Sequence, residues 1–290
     1  MDPTASPPTA SRGPAASHHK PSELKSLGPP NFLALPMKNG ILLAVNKVTK
    51  SFGGLLALDE ASIGVARGEV ALLIGPNGSG KTTLVNLISG VYKPDAGRIL
   101  FNGSDITNLP SHLIFRQGLV RTFQIPQPFI KLSVLENVLI ARQERVGEGP
   151  LSSVLNKSWL KEEEENTETA FKILELIKLD RLWETESYKL SGGQLKLLEA
   201  GRALMSGAQM LIMDEPAAGI NLTLAHEVFT HLIELNRKAG LTFLLIEHRL
   251  ELALPYVHKV YAMFRGKVIA EGEPDEIVKD PRVAEAYLGT

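Results

Sequence analysis

The 290 residues exceed the usual single-domain size but suit one large α/β domain carrying a subdomain and a tail. With 31 basic and 32 acidic residues the formal charge is only -1, so no global field favours nucleic acid or an anionic membrane. Cysteine is absent, which excludes disulfide scaffolds and thiolate metal sites and fits a reducing compartment.

Eight of the eighteen prolines precede Met37, where apolar periodicity is weak. Residues 1–36 are therefore expected to be a disordered Pro-rich extension, with Met37 as an alternative start and 37–290 as the folded domain. That stretch has no apolar run behind a basic start, so no secretory signal is expected. Its His18-His19 pair offers two metal ligands with no companion nearby. Beyond it, β-rich stretches at 42–52, 61–65 and 69–74 lead through a glycine loop into a helical pattern at Leu84, Val85, Leu87 and Ile88.

Between Val134 and Leu179 the pattern turns helical, with Ala170, Phe171, Leu174 and Ile177 on one apolar stripe over 167–179. This predicts an inserted helical subdomain over about 130–190. The acidic run 162–165 beside Lys161 reads as a solvated helix start, because four consecutive residues do not share one helical face. Strands at 210–213, 242–246, 259–264 and 267–271, with a helix over 222–236, imply a largely parallel sheet core. The longest apolar runs fall far short of the ~20 residues of a membrane-spanning helix, so a membrane link has to come through a partner.

Gly75-Pro76-Asn77-Gly78-Ser79-Gly80-Lys81-Thr82 satisfies G-x-x-x-x-G-K-[ST], between an apolar strand and a helix. Its glycines let successive N–H groups face phosphate oxygens at a helix N-terminus. Lys81 is expected at the β- and γ-phosphates of ATP and the Thr82 hydroxyl on Mg²⁺, with Thr83 next in the loop's nucleotide contacts. Met210-Leu211-Ile212-Met213-Asp214-Glu215 is an apolar strand ending in two carboxylates. Asp214 suits Mg²⁺, and Glu215 suits polarisation of an attacking water.

Leu190-Ser191-Gly192-Gly193-Gln194, between these two motifs and before a helical run, resembles the signature sequence of ABC ATPases. The resemblance spans Ile41 to about Gly289. It implies a P-loop NTPase fold of the ABC type: an α/β protein with a mostly parallel sheet core, an antiparallel β subdomain and an inserted helical subdomain. It further implies that Ser191, Gly192, Gly193 and Gln194 close over ATP held by a second subunit, although Ser191 also suits a simple helix N-cap. Phe52 resembles the aromatic that stacks on adenine, with core packing as the alternative. Gln124 resembles the glutamine that contacts Mg²⁺ and joins core to helical subdomain. His248 resembles the histidine at the γ-phosphate, where a structural histidine is the alternative.

Within this class, Asp214 to Asn221, the block 120–129 and Ala286-Tyr287-Leu288-Gly289 look like LivG-type branched-chain amino-acid ATPases. Asn221 stands where most ABC ATPases have aspartate, and it is also a good N-cap. Two residues depart from the pattern: Arg249 replaces an acidic residue after His248, and Gly201 replaces an alanine, expected only to loosen its helix by ~1 kcal/mol. The resemblance implies ATP hydrolysis powering import, with transmembrane permeases and a second ABC ATPase as partners. A heterodimer is expected and a homodimer possible, with a periplasmic or extracellular solute-binding protein acting indirectly. No nucleic acid is expected, and the place implied is the cytoplasmic face of the membrane. An exporter of lipopolysaccharide, an importer of urea or amides, and a soluble ABC ATPase are the alternatives.

Overall fold

The structure, a computed structural model, describes residues 40–122, 126–143 and 158–288. The extension 1–36, its His18-His19 pair and Gln124 lie outside the described residues. Two sheets organise the rest. In the first, β1 (Ile41–Phe52) and β2 (Leu55–Ala66) form a long antiparallel hairpin, joined by β4 (Ala96–Phe101) and β5 (Ser104–Asp105) in the order β2-β1-β4-β5. Strand β2 starts earlier than the expected 61 because Gly53 and Gly54 make a tight turn and Leu55 and Leu56 are exposed, which masks the alternation.

The second sheet has the order β10-β9-β3-β8-β7-β6. It places β3 (Val70–Ile74) at its centre between β8 (Thr242–Ile246) and β9 (Lys259–Phe264), with β7 (Met210–Asp214) and β6 (Leu119–Arg121) beyond β8. These five strands are parallel, and β10 (Lys267–Gly272) pairs antiparallel at the edge. Every residue of β3 and β8 is buried, which is why they read as continuous apolar runs rather than alternating ones. Because β3, β7 and β8 are parallel neighbours, the loops after them emerge along one edge, the usual position of a ligand site in such sheets.

Strand β3 feeds two cores. Val70, Leu72 and Ile74 join one containing helices α3 (Val134–Leu139), α4 (Ser158–Leu176), α5 (Gly192–Met205) and α6 (Leu222–Ala239). Ala71 and Leu73 join the other, with the antiparallel sheet and α1 (Lys81–Ile88). The stripe Ala170, Phe171, Leu174 and Ile177 is buried as expected, and Phe171 meets Trp183 edge to face at 5.5 Å. Helix α4 begins well before 167, so the acidic run lies inside it rather than at its start, with Lys161 3.9 Å from Glu165.

Gly201 does more than loosen α5. A Cβ there would lie 2.7 Å from Ile177 Cδ1 and 3.3 Å from Ile173 Cγ2, so the missing side chain lets α5 and the end of α4 close together. Short elements escaped the sequence patterns: β4 and β6, α2 (Ser111–Arg116), α7 (Leu250–Ala253), and the C-terminal α8 (Pro274–Lys279) and α9 (Pro281–Leu288). Too few residues repeat in them for a period to show.

Candidate functional site

The loop after β3 is held in a conformation that only glycine tolerates at its entry. Gly75 has φ 148, and a Cβ there would meet the Met263 carbonyl oxygen at 2.3 Å. The far side is braced by the β9–β10 turn, where Gly266 N–H donates to the Ser79 carbonyl at 2.9 Å. The Tyr287 hydroxyl of α9 faces the Gly75 backbone, and burial raises its pKa. The sequence ending had singled out Tyr287 by resemblance, but gave no sign that it reaches this loop.

Gly80 caps α1 with φ 103 and no side-chain bond, leaving first-turn N–H groups of the helix without a side-chain acceptor. Lys81 opens that helix at 6% exposure, and its Nζ donates to the carbonyls of Gly75 at 2.7 Å and Pro76 at 3.0 Å. Burial holds its ammonium below the usual lysine range, while Asp214 and Glu215 pull the other way. The Ser79 Oγ is buried without a hydrogen-bond partner. Asn77, Gly78 and Thr82 are exposed and Thr83 is half-buried. A curled loop with a buried cation, a spare hydroxyl and an uncapped helix start fits a polyphosphate.

Asp214 ends β7, where its Oδ2 lies 3.6 Å from Nη2 of Arg121. Arg121, at the end of β6, also donates to Asn86 Oδ1 of α1, so it ties the glycine-loop helix to the carboxylate strand. The exposed Thr82 hydroxyl and the Asp214 carboxylate are hard oxygen donors of the kind Mg²⁺ prefers. Glu215 has φ 49, a left-handed conformation that costs a residue of this type about 1 kcal/mol or more and here is fixed by its N–H bond to the Ile246 carbonyl at 2.8 Å. This turn brings Glu215 Oε1 to 3.1 Å from His248 Nε2. The structure thus unites Lys81 after β3, Asp214 and Glu215 at the end of β7, and His248 after β8, all at the same edge of the parallel strands.

Phe52 sits at the tip of the β1–β2 hairpin, 41% exposed, and so lies outside the cores. Its ring meets Tyr92 edge to face at 5.2 Å, and Lys50 Nζ lies 5.5 Å from its centroid. The Lys50–Asp95 ion pair at 2.7 Å and the Ser51 N–H bond to Asp95 pin the same tip. Tyr92 and Asp95 carried no sequence signal, because only the fold brings 92–95 beside residue 52.

Ser191 and Gln194 form a reciprocal capping box at the start of α5: Gln194 N–H donates to Ser191 Oγ at 3.3 Å, and Ser191 N–H to Gln194 Oε1 at 2.9 Å. Ser191 and Gly192 are exposed while Gly193 is buried, and a Cβ on Gly193 would come within 2.8 Å of Leu224 Cδ1. The N-cap role of Ser191 is therefore present alongside any other. Asn221 likewise caps α6, accepting from Leu224 N–H at 2.9 Å. Next to this site a groove of about 720 Å³ runs between α2, α3 and α5, lined by Phe115, Phe129, Ile140, Glu199 and Arg202. Burial pushes the Glu199 carboxyl up to about 7, against Lys196 and Arg202.

The chain is similar to known proteins over most of its length. A family model described as ABC transporter matches residues 58–218, and one described as branched-chain amino acid ATP-binding cassette transporter matches 267–290. The chain is 53% identical over 248 residues to the probable branched-chain amino acid transport ATP-binding protein LivG of Archaeoglobus fulgidus, covering 86% of this chain and 95% of that protein. It is 36% identical over 249 residues to the high-affinity LivG of Escherichia coli, covering 86% and 98%. A crystal structure described as the ADP conformation of an ATP-binding cassette of an ABC transporter superposes with a TM-score of 0.75 at 49% identity, covering 87% of this chain and all of that one.

Proposed function

Because the chain belongs to the ABC transporter family of ATP-binding cassettes, we propose that it is the ATP-hydrolysing subunit of an importer for branched-chain amino acids. The observation that carries the reading is the meeting of Lys81, Asp214, Glu215 and His248 beside a loop that fits a polyphosphate. Lys81 and the N–H groups of residues 77–83 bind the ATP phosphates, and Phe52 stacks on adenine. Glu215 accepts the proton of the attacking water, and His248, 3.1 Å from it, holds the carboxylate and donates toward the γ-phosphate. Mg²⁺, held by Thr82 and Asp214 and reached by Gln124, would supply charge neutralisation at the phosphates.

Ser191, Gly192, Gly193 and Gln194 serve a second nucleotide, bound by the partner ATPase, for which a related but different subunit is the expectation. We assign 37–290 to the ABC ATPase domain, with about 130–190 as its inserted helical subdomain. Among the described residues no helix is long and apolar enough to cross a membrane. The chain works as a peripheral subunit at the cytoplasmic membrane face, and the groove at Phe129 and Ile140 receives a permease segment. The branched-chain reading, as against an exporter or a urea importer, rests on the named relatives and on the match at 267–290. Its test is reconstitution with the cognate permeases, partner ATPase and binding protein in liposomes. Leucine-loaded binding protein is expected to stimulate hydrolysis several-fold, and stimulation by urea alone or by no solute overturns the assignment.

A further inference from the structure

The residues on either side of His248 turn away from the nucleotide edge and grip the loop that follows Glu215. Glu247 is 3% exposed, and its two carboxylate oxygens accept from Ala217 N–H at 2.9 Å and from His248 N–H at 3.1 Å. Arg249 donates from Nη2 to the Ala217 carbonyl at 2.6 Å. Both backbone groups of a fully buried alanine are thus held by the two neighbours of His248. A buried carboxylate is tolerated only when hydrogen bonds satisfy it, so Glu247 and the Ala217 peptide fix one another.

The gripped loop runs on to Ile220 and the start of α6, where it supports the Ser191–Gln194 turn. Cβ atoms built on Gly192 and Gly193 would lie 3.1 Å from Ile220 Cγ2 and 2.8 Å from Leu224 Cδ1, which leaves no slack between the two segments. A continuous path of contacts therefore joins His248, through residues 247 and 249 and then 217–224, to the glycines of the signature. An acidic residue at 249, as the family resemblance implies, could not donate to the Ala217 carbonyl and would set a like charge beside Glu247.

We propose that Glu247 and Arg249 are positioning residues that make the loop 216–221 follow His248, so that occupancy at one nucleotide site moves the signature turn covering the other. This rests on the roles assigned to Glu215 and His248 above. The test compares Arg249→Ala, Arg249→Lys, Glu247→Gln and His248→Ala. ATP affinity and amide exchange are measured on the full chain, and hydrolysis is measured in the assembled transporter. Arg249→Ala is expected to keep ATP affinity and KM within twofold, to lower kcat at least tenfold, and to abolish the ATP-induced protection of amides 217–221 expected in the parent chain. Arg249→Lys, which restores a donor, recovers part of both.

Normal kcat with normal protection in Arg249→Ala overturns the clamp. So does an absence of ATP-induced protection in the parent chain, or a kcat loss matched by an equal loss of ATP affinity. His248→Ala separates the two levels: wild-type hydrolysis there removes the underlying reading of the site, whereas an inactive His248→Ala beside an active Arg249→Ala removes the clamp alone.

Discussion

The glycine loop at 75–82 and the signature turn at 191–194 both open helices with glycine and a hydroxyl residue, yet they are finished differently. In the first, the Lys81 ammonium is buried, Ser79 Oγ has no partner, and no side chain caps α1. In the second, Ser191 and Gln194 cap each other and the turn stands exposed on a tightly packed base at Leu224. The first keeps a buried cation, a spare hydroxyl and an uncapped helix start; the second is already satisfied within its own chain. Its exposed Ser191 and Gly192 become useful only when something outside the chain presents an anion. The helices behind them differ too: α1 buries a single charge, Lys81, while α5 carries Lys196, Glu199 and Arg202 one turn apart along one row.

The largest effect is expected where the chain's own site performs chemistry. Glu215→Gln keeps the side-chain shape and leaves ATP affinity within a few-fold, but removes the group that accepts the water proton. Hydrolysis in the assembled transporter should fall by about 10²–10⁴-fold, read as phosphate release. Near-normal turnover would move the base elsewhere. Lys81→Ala comes next, because a buried phosphate contact loses its cation. Equilibrium titration of the full chain should show ATP affinity reduced by about 10- to 100-fold, as loss of a charged hydrogen bond predicts.

The smallest effect concerns the α5 charges. Glu199 has a folded-state pKa near 7 against an ordinary value of 4.5, raised by burial. The folded chain therefore binds more protons than the unfolded one between these values. The stability this gives is fully present below pH 4.5 and is lost as pH rises through about 7. Denaturant unfolding should show this decline, of about 1–3 kcal/mol, in the parent chain and not in Glu199→Gln. An identical slope in both would mean that Glu199 titrates like an exposed carboxylate.

The contrast between the two loops also explains what the sequence could reveal. The glycine loop, the strand ending in Asp214 and Glu215, and the signature are contiguous, and each needs particular residue types at fixed spacing, so all were legible. The strands β3, β7 and β8 were legible because burial on both faces leaves nothing but apolar residues. What could not be read is what the fold brings together from afar: Tyr92 and Asp95 against Phe52, Tyr287 against Gly75, and Glu247 and Arg249 around Ala217. Arg249 stood out in the sequence only as a departure from a pattern, and Gly201 looked like a weak helix residue. In each case the meaning lay in a partner 24 or more residues away, Ile177 for Gly201 and Ala217 for Arg249.

In the proposed function the signature turn acts on a nucleotide bound by another subunit and not on its own. Gly193 is a poor place to test it, since any side chain would strike Leu224 and disturb the fold. Ser191→Asp is cleaner: aspartate caps a helix as well as serine does, so α5 should keep its start while the exposed turn gains a negative charge. The measurement is ATP affinity of the full chain alongside hydrolysis in the assembled transporter. Unchanged affinity and melting temperature, with hydrolysis reduced at least tenfold by repulsion of the partner's phosphate, is the predicted result. Normal hydrolysis would rule out that role, because it would leave Ser191 as a helix cap and nothing more.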